Sequence, residues 1–316
     1  MSSPVLISIC IPAYKRVEYL QRLLQSIEVQ TLRDFEVIVT DDSPDSSVQE
    51  LCREFAARFP LHYFRNEKAM GTPENWNEAI RRARGTWIKI MHDDDWFEGP
   101  DALEQYAQAT RKHPSCSFFF AAYQNVEQET GKIEKMFCSK WGLFLLRQSP
   151  LNLFKANYVG NPSCTLVKRD IDLFYDAELK WVVDFEYYIR CFQKLQQFQY
   201  IDTILISVGI NKEQVTKYTF RVASVEIPES YHMIDKMGYG ILRNILVYDY
   251  YWRLHRNLNM RSEADVQQYY HQPIRPLLKQ MIRFQQKMPV ALLKIGPVSK
   301  LLMGLNYFIS LFRRTG

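Results

Sequence analysis

Apolar and polar positions change period in blocks along the first 125 residues, and each block predicts an element. Residues 5–11 form a short apolar run rich in branched side chains, followed by Leu20, Leu23, Leu24 and Ile27 at helical spacing, so a strand leading into a helix is expected. Residues 35–40 (FEVIVT) read as a second strand running into Asp41-Asp42-Ser43-Pro44, after which Ser46 and Gln49 predict a capping box for a helix through Phe59. Residues 62–64 read as a short strand. Thr72 and Pro73 predict the N-cap and first residue of a helix with Trp76, Ile80 and Ala83 on its apolar face. Residues 86–91 (TWIKIM) read as a strand that runs into His92-Asp93-Asp94-Asp95-Trp96. Gly99-Pro100 opens another helix, and residues 117–123 (SFFFAAY) form a strongly apolar strand. Beyond it, residues 126–160 carry aromatics without a clear period, 162–168 read as extended, 185–198 as helical and 202–208 as a last strand. From Phe220 onward the pattern is mostly helical, which sets a boundary near residue 220.

Alternating strand and helix signals predict an open α/β sheet, and in such sheets ligands sit at the carboxyl ends of the strands. Two of those ends carry Asp41, Asp42, Asp93, Asp94 and Asp95. Clustered carboxylates repel an anionic ligand unless a divalent cation lies between them, and Mg²⁺ or Mn²⁺ commonly bridges carboxylates to phosphate oxygens, so a metal-diphosphate site is the natural reading. Asp93 and Asp95 are two apart, and on an extended segment both face one side, one towards a metal and one towards a sugar or ribose hydroxyl. The plainer readings are a solvated aspartate turn and a helix cap at Asp41-Asp42. Neither G-x-G-x-x-G after the first strand nor G-x-x-x-x-G-K-[ST] occurs, which removes the dinucleotide-binding and P-loop readings.

With 316 residues, 47% hydrophobic and 24% charged, the chain has material for a large α/β domain plus an extension. The formal charge of +5 changes the picture only through its location. After Asp265 there is no acidic residue, while Arg275, Lys279, Arg283, Lys287, Lys294, Lys300, Arg313 and Arg314 supply eight positive charges. Six cysteines, at positions 10, 52, 116, 138, 164 and 191, form no C-x-x-C and read as free thiols in a reducing, cytoplasmic setting. No basic stretch precedes the first apolar run, so no signal peptide is expected. Residues 301–312 are uncharged but fall short of the roughly 20 residues that span a bilayer.

The stretches ISICIPAYKR, FEVIVTDDSPD, NEKAMGTPENWNEAIRRARGTWIKIMHDDDW and WVVDFEYYIR follow one another over about residues 5–215. In that order they resemble the inverting family-2 glycosyltransferases (GT2) of the GT-A fold. The resemblance implies a Rossmann-like, mostly parallel sheet flanked by helices, with a helical C-terminal extension. On that scheme residues 1–220 are catalytic, about 1–125 binding nucleotide and about 126–220 binding acceptor, and residues 221–316 are a basic helical extension. Pro12, Ala13 and Tyr14 then lie against the nucleotide, and Asp41 or Asp42 bonds the base or ribose. Asn77 lies near the diphosphate. Asp93, Asp94 and Asp95 match the D-x-D, with Asp93 and Asp94 towards the donor and Asp95, together with Asp93, at the metal. Asp184 matches the acceptor-side base. Departures from the family pattern are Trp76 where many relatives have arginine, Val183 ahead of Asp184 where the usual pair is Glu-Asp, and Gly209 and Asn211 where an R-x-H pair precedes the motif matched by Gln214 and Thr216. They disfavour a histidine ligand at that last position and leave open whether Asn211 serves the metal.

The resemblance implies metal-assisted transfer from a nucleotide-diphospho-sugar to a hydroxyl of a glycan or lipid-linked acceptor in bacterial surface polysaccharide biosynthesis, with no nucleic acid involved. The alternatives are a catalytically silent GT-A-like protein that binds a glycan or a partner, and a sugar nucleotidyltransferase. The latter prefers a glycine-rich basic loop near the first strand, which this chain lacks. Spacing suggests an ordinary helix-surface ion pair for Glu186 and Arg190. A structural role for Asp184 is pairing to Lys180 or capping a helix from Phe185. His92 reads as a packing or hydrogen-bonding residue, and Arg16, Arg65 and Lys68 as phosphate neighbours or solvated charges. Val298, Leu301, Leu302, Leu305, Phe308, Ile309 and Phe312 form an apolar stripe opposite Ser299, Asn306, Ser310 and Arg313. Stripe and basic flank together predict a peripheral anchor on the anionic inner face of the cell membrane, although such a helix also packs readily on its own protein.

Overall fold

The computed structural model describes residues 5–195, 197–211 and 219–312, without the side chain of Phe312. Gln214 and Thr216 lie outside the described residues. Nine strands are present among them: β1 (Ile7–Ala13), β2 (Phe35–Asp41), β3 (Leu61–Arg65), β4 (Trp87–Ile90), β5 (Trp96–Phe97), β6 (Phe118–Glu127), β7 (Ile133–Met136), β8 (Thr165–Lys168) and β9 (Gln199–Ile210). The helices are α1 (Val17–Glu28), α2 (Ser47–Ala56), α3 (Glu74–Arg82), α4 (Ala102–Lys112), α5 (Lys140–Gln148), α6 (Val183–Lys194), α7 (Ala223–Met237), α8 (Ile245–Asn257), α9 (Glu263–Gln267), α10 (Pro276–Gln286), α11 (Val290–Lys294) and α12 (Gly296–Phe312). The described residues divide into two compact units, one of 5–144, 158–177 and 186–211 and the other of 145–157, 178–185 and 219–312.

The first unit holds one sheet in the order β3-β2-β1-β4-β8-β6-β9-β5, with β7 paired to β6. β3, β2, β1 and β4 are parallel neighbours, β8 is antiparallel to β4 and β6, and β9 runs parallel to β6. The apolar runs become strands because both faces are covered: every residue of β2 is buried, and α1 buries the predicted Leu20, Leu23, Leu24 and Ile27. Register places Ala13 opposite Asp41, and Met91 N–H donates to Cys10 O at 2.9 Å, so the carboxyl ends of β2, β1 and β4 lie side by side.

Three local expectations change. Ser46 is the N-cap of α2, but its hydroxyl bonds Glu50 Oε1 at 2.7 Å and closes no capping box with Gln49. Pro73 takes the cap position of α3 instead of its first turn, and a cis Thr72-Pro73 bond precedes it. Residues 162–168 are extended only from Thr165, after a 3-10 turn over Pro162–Cys164.

The second unit is helical, and α8 supplies three of its largest buried rings, Tyr248, Tyr251 and Trp252. α12 packs on them with its polar side. Trp252 Nε1 donates to Ser299 Oγ at 3.0 Å and Tyr248 OH to Asn306 Oδ1 at 2.6 Å, while Leu301, Leu305 and Phe308 are 75%, 54% and 55% exposed. Val298, Leu302 and Ile309 are half-buried. The basic segment is less uncompensated than a run count suggests. Arg275 pairs with Asp235 at 3.2 Å, Lys279 and Arg283 with Glu263 at 3.2 and 2.8 Å, and Lys300 with Asp249 at 2.7 Å. Among the described residues, no helix is long and apolar enough to cross a membrane, and the six cysteines are free thiols.

Candidate active site

Of the expected donor residues, Pro12, Ala13, Tyr14, Asp41, Asp42, Asp93 and Asp94 lie at or just beyond the ends of β1, β2 and β4, whereas Asn77 lies in α3. Ala13 is buried at the end of β1 and the next residue, Tyr14, is 48% exposed. Asp41 and Asp42 are both buried and hydrogen-bonded. Asp41 accepts from Ser43 N at 2.8 Å and Tyr63 OH at 2.7 Å, and Asp42 accepts from Asn66 Nδ2, Met70 N and Gly71 N at 2.8, 3.0 and 2.8 Å. Asp42 thereby ties the loop before α3 to the end of β2. Asn77, expected beside the diphosphate, holds the backbone of Tyr175, donating to its carbonyl at 2.9 Å and accepting from its N–H at 2.8 Å. Trp76 packs as expected, edge-on against Tyr175 and 4.6 Å from the His92 ring centroid.

The acidic segment after β4 is a turn, closed by Asp95 N–H donating to His92 O at 3.1 Å, so the extended geometry that puts Asp93 and Asp95 on one side does not apply. Arg16 Nη2 lies 2.8 Å from Asp93 Oδ1, and its Nη1 lies 3.1 Å from Asp94 Oδ2. Asn211 Nδ2 reaches the same Asp94 oxygen at 2.9 Å. Asp95 accepts from Gly209 N at 3.1 Å and Asn161 Nδ2 at 2.9 Å. The turn brings ligand atoms of His92, Asp94 and Asp95 within 4.8 Å of one another, a donor set that fits a divalent cation. Asp93, expected as the second metal carboxylate, is not in that cluster and faces Arg16.

Burial raises the Asp93 carboxyl above the usual carboxylate range, against the pull of Arg16. Burial and the adjacent Asp94 charge raise that of Asp95. Burial pushes the His92 imidazole down to about 4, which keeps it neutral at pH 7 and able to ligate. A cation at this turn reverses the carboxylate shifts, because its charge favours the ionised forms.

Four supporting residues have roles that the motif reading does not give them. Arg16 and Asn161 hold the aspartates as described. Lys89, fully buried in β4, donates to Tyr106 OH at 3.3 Å, Thr165 O at 3.1 Å and Ser163 O, and burial lowers it to about 7. It fastens the turn that follows Asn161 to the strand that carries the acidic segment. A single lysine inside the apolar TWIKIM run was the visible signal. The fourth, Glu229, belongs to the other unit.

In that unit Asp184 is the second residue of α6, inside the first turn instead of at its cap. It is half-buried, but its Oδ1 is enclosed with no hydrogen-bond partner among the described residues, and burial raises the carboxyl to about 7. Glu229 fixes the approach to it, accepting from the N–H groups of Lys180, Trp181 and Val182 at 3.0, 2.8 and 3.1 Å. Glu229→Ala leaves one buried and two partly buried backbone donors without an acceptor, and about 1 to 3 kcal/mol of stability should be lost. Urea unfolding checks this, and an unchanged midpoint refutes the role. Glu186 forms the expected pair with Arg190 at 2.6 Å, although its side chain is wholly buried and not on a helix surface.

The fold is that of GT-A nucleotide-sugar enzymes. A UDP-GlcNAc complex of TarS residues 1–349 from S. aureus aligns over 89% of this chain and 88% of that one, at 17% identity and a TM-score of 0.59. The mannosyltransferase PcManGT from Pyrobaculum calidifontis, in complex with GDP-Man and Mn²⁺, aligns over 98% and 86% at 14% identity and a TM-score of 0.57. The sequence profile described as Glycosyl transferase family 2 matches residues 8–174, more than half of the 316, and the chain belongs to that family of enzymes. A chondroitin synthase of Escherichia coli is 33% identical over 124 residues, which are 39% of this chain, and the chain spans 18% of that synthase's length.

Proposed function

We propose that the chain is an inverting glycosyltransferase that moves a sugar from a nucleotide-diphospho-sugar to a hydroxyl of a glycan or lipid-linked acceptor in bacterial surface polysaccharide biosynthesis. The observation that carries this reading is the cluster of His92, Asp94 and Asp95 at the end of β4, beside the ends of β1 and β2. Three parallel strand ends form the crevice where α/β sheets take ligands, and this cluster suits a divalent cation, Mn²⁺ or Mg²⁺, against a diphosphate. The chondroitin synthase likeness supports the polysaccharide setting.

In this scheme residues 1–220 are catalytic, and residues 221–316 are the extension. Pro12, Ala13 and Tyr14 line the nucleotide, with the half-exposed Tyr14 ring, which has Lys15 Nζ 4.8 Å from its centroid, stacking on a base. Asp41 or Asp42 orients the base or ribose, Asn77 shapes the diphosphate side, and Asp93 and Asp94 face the donor with Arg16 fixing them. The acceptor oxygen forms its bond to the anomeric carbon as the bond to the diphosphate breaks, and Asp184 takes the acceptor proton. When bound, the cation supplies positive charge to stabilise the leaving diphosphate. The outward apolar face of α12 seats the protein on an anionic leaflet, where a lipid-linked acceptor resides.

A thermal-shift panel of UDP-, GDP-, dTDP- and CMP-sugars, each with Mn²⁺ or with EDTA, tests the reading. A donor at 100 times its Kd stabilises by about 2.7 kcal/mol, so one nucleotide class should raise Tm with the cation and lose the effect in EDTA. Flat melting curves across all donors in the presence of Mn²⁺ refute it.

A further inference from the structure

The turn after β4 places an imidazole where the aspartates alone drew attention. His92 is fixed from its backbone, which accepts from Asp95 N–H and donates from its own N–H to Ser163 Oγ at 3.0 Å. Its ring packs on Trp76 and presents Nδ1 3.9 Å from Asp95 Oδ2. That separation is too long for a hydrogen bond. It does suit two donors sharing one ion, since ligands each about 2.1 Å from a cation lie roughly 3 to 4 Å apart. The other ring nitrogen, Nε2, is buried with no hydrogen-bond partner among the described residues, so Nδ1 is the nitrogen turned to the carboxylates. Asn211 turns its amide nitrogen towards Asp94 as a donor.

We propose that His92 is a nitrogen ligand of the divalent-cation site, beside Asp94 and Asp95, and that this imidazole makes the site prefer Mn²⁺ to Mg²⁺. The inference rests on the reading that a cation serves this cluster. Mg²⁺ takes oxygen ligands in a near-ideal octahedron and loses water reluctantly, whereas imidazole suits transition metals. Because the chain has Asn211 at the end of β9, the nitrogen ligand comes from the acidic turn itself.

The test uses the full chain with Mn²⁺, alone and with UDP or GDP, and reads the metal by pulsed electron paramagnetic resonance. Bound Mn²⁺ should show the coupling of a directly ligated imidazole ¹⁴N, and the coupling should change to that of ¹⁵N in protein labelled at histidine. His92→Gln should abolish it and weaken Mn²⁺ at least 10-fold, while Mg²⁺ affinity, read by competition, changes less than 3-fold. The labelled wild-type protein gives the answer even if the variant folds poorly. Bound Mn²⁺ without nitrogen coupling, or coupling that survives in His92→Gln, overturns the role of His92 and leaves the cation reading standing. No Mn²⁺ binding under any condition overturns both.

Discussion

Asp184→Asn is expected to lower sugar transfer by about 10²- to 10⁴-fold, the range for loss of a positioned base, with donor affinity unchanged. The side chain is an unusual aspartate, with an enclosed Oδ1 that has no hydrogen-bond partner among the described residues and a carboxyl lifted to about 7 by burial. A base is most effective when its pKa lies near the working pH, so wild-type turnover should rise as pH passes upward through about 7 and the variant should lack that limb. The same shift bears on stability with a definite sign. The folded-state pKa lies above the unfolded value of 3.8, so the folded chain holds this proton more tightly. Its contribution is fully present below the unfolded value and is lost as pH rises through the folded one. Asp184→Asn should therefore gain in Tm over wild type between pH 4 and pH 7, and keep a constant margin above that. Single-turnover rates and melting curves across this range check both halves. A variant that transfers sugar at the wild-type rate makes Asp184 structural. Glu186 is a poor substitute, because Arg190 engages both of its oxygens.

What the sequence made legible follows from the range of the interactions involved. β1, β2, β4 and β6 are apolar runs covered on both faces, and α1 is an amphipathic stripe, so period alone locates them. The motif residues at strand ends were readable because the parallel order of β2, β1 and β4 brings their ends together. The geometry of the acidic segment was not, since a turn closed by Asp95 N–H and His92 O replaces the extended spacing and substitutes His92 for Asp93 in the cluster. Glu229 acts on backbone 47 to 49 positions away, and nothing local in EIPES announces that. Charge counting after residue 265 failed for the same reason: Asp235, Glu263 and Asp249, which neutralise four of the basic groups, precede that run in the chain. The apolar stripe of α12 was visible, whereas which side faces the core depends on Ser299 and Asn306 finding Trp252 and Tyr248.

Replacing Leu301, Leu305 and Phe308 together by Glu is expected to reduce binding to anionic vesicles by about 10²-fold or more without unfolding the chain. Ordinary packing puts the apolar stripe of a helix inward, but α12 turns Ser299, Met303, Asn306 and Ser310 inward and leaves these three side chains at 75%, 54% and 55% exposure. Removal of the whole helix is a poor test, because it also breaks the bonds to Trp252 and Tyr248. Outward point changes avoid that. Burying a Leu or Phe side chain contributes about 1.5 to 3 kcal/mol, so three of them outweigh the roughly 1 kcal/mol that each basic residue near an anionic leaflet adds. Among the described residues, Lys287 and Lys294 have no acidic partner in this segment, whereas Lys300 is tied to Asp249. Binding should accordingly weaken only in part at high salt and disappear in the triple variant, with flotation on phosphatidylserine vesicles as the readout. If the variant floats as well as wild type, α12 does not contact lipid. If instead wild type ignores vesicles and sediments as a dimer that the triple variant converts to monomer, the face belongs to a second copy of the chain.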